Sequence, residues 1–98
     1  MFGLDPKTIE YIKEVFKRHP EIETAKIYGS RAMGNFKYNS DVDLALLGDF
    51  SWDLTGHIHE ELDSLPTPYL FDITDYKRIN ENALKEHIDK FGAVFYKK

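Results

Sequence analysis

Three aspartates and a glycine–serine pair are the residues of this chain whose types and spacing could do chemistry. Asp41 and Asp43 open the apolar run Val42 to Leu47. In a strand, residues two apart point to one face, so both carboxylates look the same way. They lie roughly 7 Å apart along the chain, twice the strand rise, and can converge on one cation. Asp72 is a third carboxylate, set in the aromatic and apolar run Tyr69 to Thr74 and read as buried among apolar neighbours. Gathering carboxylates without a cation is unfavourable, since two charges ~4 Å apart repel by roughly 4 kcal/mol at an effective dielectric of about 20. Mg²⁺ reverses that sign, because it prefers carboxylate and phosphate oxygens in octahedral geometry. Two such ions clamp the attacking and leaving oxygens of an in-line phosphoryl displacement.

Upstream, Ile27 to Tyr28 ends a strand, Gly29-Ser30 makes a tight turn, and a short helix is stopped by Gly34. A Gly-Ser turn ahead of a helix aims backbone N–H groups and a hydroxyl outward, as an anion site requires. A phosphate cradle beside a divalent-cation site suggests a nucleoside triphosphate with its metal. Each part alone has a bland reading. Gly29 and Gly34 are ordinary turn glycines, Ser30 a helix N-cap, and a lone Asp-x-Asp a polar strand start. The combination with Asp72 favours the metal site. Arg31 is either a solvated charge or a triphosphate clamp. Ser40 either orients Asp41 by a hydrogen bond or caps the loop. His57 and His59, two apart on a helix, point to different sides and read as surface histidines. Trp52, Tyr69 and Phe71 read as core.

The elements that must position these groups follow from the chain in order. Asp5-Pro6 starts a helix with an N-cap and a proline at the first helical position. Ile9, Ile12, Val15 and Phe16 form its apolar stripe, and His19-Pro20 ends it. Thr24 to Tyr28 is the first strand. Val42 to Leu47 has the density of Val, Leu and Ala expected of a central strand covered on both faces. Ser51 caps a second long helix running to about Leu65, with Leu54, Ile58, Leu62 and Leu65 buried. Pro66 and Pro68 close it, and Tyr69 to Thr74 is the third strand. Asn80 caps a last helix, with Ile79 and Leu84 at staple spacing and Leu84, Ile88 and Phe91 on its inner stripe. Gly92 stops it, and Ala93 to Tyr96 is an edge strand.

This is an α/β (α+β) order, read as a small mixed sheet with helices packed mainly on one side. Ninety-eight residues give one domain, 1–98, with one modest core. A 42% hydrophobic and 14% aromatic content argues for a packed globule. A formal charge of −4 argues against nonspecific nucleic-acid binding, which needs a basic face. Zero cysteines exclude disulfides, a thiol nucleophile and thiolate zinc sites. No apolar run is long enough for a membrane span or a signal peptide, so a cytoplasmic location is expected.

Gly29-Ser30, ten residues, then Asp41-Val42-Asp43 resembles the signature of the polymerase-β nucleotidyltransferase superfamily. The fuller string Gly-Ser-Arg-Ala-Met-Gly…Ser-Asp-Val-Asp-Leu-Ala-Leu looks like its smallest members, the minimal nucleotidyltransferases (MNT). The leading helix, Asp72 and the closing Ile88 to Tyr96 extend the likeness over nearly the whole chain. The resemblance implies a polymerase-β-like palm in which Asp41 and Asp43 bind both Mg²⁺ ions, with Mn²⁺ as a substitute. It implies that Asp72 completes the metal site and activates the acceptor hydroxyl. Gly29 and Ser30 then hold the nucleotide's phosphates, with Arg31, Gly34 and Ser40 around them. The implied reaction is transfer of AMP from ATP to an acceptor hydroxyl, with release of pyrophosphate.

Minimal nucleotidyltransferases of this kind pair with a small helical HEPN protein in toxin–antitoxin systems. The acceptor implied is a tyrosine of that partner, and the chain is its antitoxin. Two other readings compete. A binding module would neutralise the HEPN partner by contact alone. An antibiotic-modifying enzyme would transfer AMP to an aminoglycoside, although those enzymes usually carry an additional substrate-binding domain. A glycosyltransferase reading of Asp-x-Asp fails on size.

Overall fold

Proline at the first helical position and a four-residue apolar stripe set the first helix, α1 (Pro6–Lys17), which buries Ile12, Val15 and Phe16. The computed structural model describes all residues, 1–98. After α1 come β1 (Ile22–Tyr28), α2 (Ser30–Met33), β2 (Val42–Gly48), α3 (Leu54–Asp63) and β3 (Phe71–Asp75). A 3₁₀ turn (Tyr76–Arg78), α4 (Asn82–Phe91) and β4 (Ala93–Lys97) complete the chain.

The sheet is mixed, in the order β3-β2-β1-β4. β1 pairs antiparallel with β2 and with β4, and β2 pairs parallel with β3. β2 is therefore internal, and Val42, Leu44, Ala45 and Leu46 are all fully buried, as its composition predicts. One face of the sheet, carrying Ala25, Ile27, Val42, Leu44 and Phe71, packs with residues of α1 and α3 into the main core. Burying each such Leu, Ile or Phe contributes about 1.5–3 kcal/mol. The Phe16 ring of α1 lies 5.4 Å from that of Tyr96 in β4, which ties the first helix to the last strand. The opposite face holds a smaller cluster, Tyr28, Ala45 and Ile88, with α4 laid over it and Ile79 and Leu84 alongside. Two of the three long helices thus share one side, and α4 covers part of the other.

The starts of four elements differ from the sequence reading. β1 starts two residues earlier, because Ile22 pairs with Gly48 across a bulge. α3 begins at Leu54, not at Ser51, whose hydroxyl donates to the Asp53 carboxylate instead of capping a backbone N–H. β3 begins at Phe71: pairing with β2 starts where Leu70 C=O accepts the Val42 N–H. α4 begins at Asn82 with Glu81, not Asn80, at the cap position. Trp52 also departs from expectation. It is 70% exposed, since it precedes α3 instead of lying on its buried stripe.

Candidate active site

β-pairing builds the site. The registers place Tyr28 of β1, Asp43 of β2 and Asp72 of β3 in one row across three strands. Row neighbours share a face, so Asp43 and Asp72 project together from the side opposite the main core. Asp41 precedes β2 by one residue and stands exposed. Asp72 is exposed too, contrary to the expectation of a buried aspartate. β3 is an edge strand, and its alternation sends Phe71 into the core and Asp72 outward.

Asp43 is half-buried, and its carboxyl is pushed up from 3.8 to about 6. Burial is the main cause, followed by the charges of Asp72 and then Asp41, with His87 and Arg31 acting in the opposite direction. No ion pair neutralises the three acids. Arg78 pairs instead with Asp75, Lys77 with Asp49 and Lys17 with Glu14. Hard oxygen donors with no compensating cation, two of which raise the proton affinity of Asp43, are a donor set suited to a divalent cation. As they stand, no three acidic or histidine side chains converge closely enough to form a ready ligand cage.

The turn after β1 meets this row at Asp43. Gly29 has φ +72° and ψ −153°, a region essentially reserved for glycine. A Cβ at that position would fall 2.4 Å from Asp43 Oδ2, so backbone and carboxylate are in contact. Ser30 is the first residue of α2, and Gly29 stands at the cap position. Gly34 ends α2 in the left-handed conformation and donates its N–H to Ser30 C=O, at 3.0 Å.

Arg31 is neither solvated nor free to clamp phosphate. It is 1% exposed. Its guanidinium donates to the carbonyls of Phe2 (3.0 Å), Tyr38 (3.2 Å) and Ser40 (3.1 and 2.8 Å). The Phe36 and Tyr69 rings flank it at 5.2 and 5.0 Å. Five donors in a rigid fork suit three carbonyls converging on one buried point. Arg31 thereby pins the loop that delivers Asp41. Ser40 closes the same loop, its hydroxyl accepting the Lys37 N–H at 2.9 Å, which is the capping alternative.

Two residues at the site escaped the sequence reading. Tyr28 hydrogen-bonds through its hydroxyl to Thr74 at 3.1 Å, and burial, opposed by that bond, raises its pKa, as do Asp72 and Asp43. His87 accepts the Gly29 N–H on Nε2 at 3.2 Å. A signal existed: Leu84, His87, Ile88 and Phe91 follow the three-four spacing of one helix face, with a histidine among the apolar residues.

A glycine–serine turn held against an aspartate on the central strand of a mixed sheet, with a second acid beside it, is a nucleotidyltransferase layout. Residues 10–98 match the family described as polymerase beta, nucleotidyltransferase. The chain belongs to that family. Solved structures share the fold. A chain of a toxin–antitoxin complex with AMP-PNP matches with a TM-score of 0.74 at 18% identity, over 97% of this chain and 75% of that one. A chain of the MntA–HepT toxin–antitoxin gives 0.71 at 15% identity, over 96% and 74%. The complex of a tri-AMPylated Shewanella oneidensis HEPN toxin with its MNT antitoxin gives 0.69 at 15%, over 94% and 71%. No curated protein sequence matches. No helix is long and apolar enough to cross a membrane.

Proposed function

We propose that this chain is a single minimal nucleotidyltransferase domain that transfers AMP from ATP to a tyrosine hydroxyl of a small helical HEPN partner, and so acts as its antitoxin. The observation that carries the chemistry is the row Asp43–Asp72 with the Gly29 backbone against Asp43. The likeness to toxin–antitoxin complexes, one with AMP-PNP and one with a tri-AMPylated toxin, supports the choice of nucleotide and partner.

In this reading Asp41, Asp43 and Asp72 would hold Mg²⁺, which would supply charge neutralisation for the triphosphate and the departing pyrophosphate. The Gly29–Ser30 turn orients the phosphates. Asp72 accepts the proton of the attacking hydroxyl, whose oxygen bonds to the α-phosphorus as the bond to pyrophosphate breaks. A cytoplasmic location follows from dependence on ATP and an intracellular partner.

The test is incubation with labelled ATP, Mg²⁺ and the genomic-neighbour HEPN protein, read by intact mass. AMP gained by the neighbour, and lost with the Asp41→Asn/Asp43→Asn double variant, supports the proposal. A stable complex without a mass change would replace it by the binding-only reading.

A further inference from the structure

Gly29 is held from outside its own segment. The one polar contact that α4 makes with the glycine–serine turn is His87 Nε2 accepting the Gly29 N–H, at 3.2 Å and 58 residues away in sequence. An N–H can only be accepted by an unprotonated ring nitrogen, so this bond requires the tautomer with hydrogen on Nδ1. The ring is itself fixed on two sides. Tyr28 meets it edge-on with centroids 6.1 Å apart, and Phe91 packs at 5.5 Å. Ile88, the next residue, is fully buried, so α4 cannot slide without emptying the second core cluster.

The bond acts at a demanding place. Gly29 occupies a sparsely populated backbone region, where nothing in its own φ and ψ preference holds it. Its backbone also touches the Asp43 carboxylate, so a shift of the turn is a shift against the acid. α2 is only four residues long and adds little rigidity of its own.

We infer that His87 is a positioning residue: through its acceptor nitrogen it locks the Gly29–Ser30 turn in the conformation that receives the nucleotide's phosphates. This rests on the proposed nucleotide site, and it assigns to α4 a part in that site besides covering the sheet. His87 itself touches no reacting atom. It acts through Gly29.

The experiment compares His87→Ala, His87→Asn and His87→Gln in the full chain. Glutamine places its carbonyl oxygen about where Nε2 lies, whereas the asparagine amide reaches only as far as Nδ1. Two readouts are taken: hydrogen exchange of the Gly29 amide by NMR, and the Kd for AMP-PNP with Mg²⁺. Alanine and asparagine are expected to speed Gly29 exchange at least tenfold and to weaken AMP-PNP roughly fivefold, the scale of one neutral hydrogen bond. Glutamine is expected to restore both to within about twofold. Unchanged Gly29 exchange in His87→Ala, or a glutamine variant no better than alanine at equal Tm, would overturn the inference. A wild-type chain that binds no AMP-PNP while Gly29 exchange still follows the histidine would count against the nucleotide site and leave the His87–Gly29 lock intact.

Discussion

A side chain at position 29 would place its Cβ 2.4 Å from Asp43 Oδ2. The turn and the acid are thus packed to contact, and only glycine fits between them. Gly29→Ala adds backbone strain of about 1–3 kcal/mol and must also displace the carboxylate. We expect a lower Tm and, beyond it, loss of nucleotidyl transfer at temperatures where the variant remains folded. Transfer at the wild-type rate would count against the contact.

Asp43 sets a pH dependence with a definite sign. Its carboxyl rises from 3.8 to about 6 in the folded chain. Between those values the folded state binds more protons, so stability falls as pH rises through this window and is level above it. The full shift corresponds to about 3 kcal/mol, which water screening of a half-exposed group reduces to ~1 kcal/mol. Asp43→Asn should therefore be more stable than wild type at pH 7 and lose the slope between about pH 4 and 6. Thermal melts across pH read both.

The same charge predicts the response to metal. Mg²⁺ should raise the Tm of the wild type at neutral pH, less so below about pH 6 where Asp43 is protonated, and not at all in Asp41→Asn/Asp43→Asn. Differential scanning fluorimetry with and without EDTA makes the comparison. Equal Mg²⁺ shifts in both proteins would place the cation elsewhere.

Arg31 predicts stability loss in place of a specific loss of nucleotide affinity. Arg31→Ala leaves the carbonyls of Phe2, Tyr38 and Ser40 without their donor, at a cost of about 3 kcal/mol. Arg31→Lys should recover less than half, since an ammonium lacks the planar fork. Urea denaturation decides. A variant with wild-type stability but weakened AMP-PNP binding would restore the phosphate-clamp reading.

Trp52, the single tryptophan, is 70% exposed. Its emission should match that of free indole in buffer, and Trp52→Ser should change stability by less than about 0.5 kcal/mol. Blue-shifted emission in the isolated chain would contradict its placement.

Local patterns made much of this legible. The stripe Ile12, Val15, Phe16, the apolar residues Val42, Leu44, Ala45 and Leu46, and the spacing Leu54, Ile58, Leu62 all lie in the core as read. The Gly29 turn also meets Asp43, the second acid of the Asp-x-Asp pair. Where a side chain ends up facing is less legible. The apolar run around Asp72 predicts burial, but strand alternation at the sheet edge turns it outward. Composition alone places Trp52 in the core, because it cannot tell a helix stripe from the loop before it.

By itself the sequence determined the periodicities, hence the elements, and the chemical types at the turn and at the start of β2. Those are properties of neighbours along the chain, set by backbone sterics and by the period of each element. Only the tertiary structure decided that Asp43 and Asp72 share a row, that Arg31 holds three carbonyls instead of standing free, and that His87 reaches the turn. Each of those depends on strand register or on how α4 docks. Register and docking are fixed by packing among residues dozens of positions apart, which no local pattern encodes.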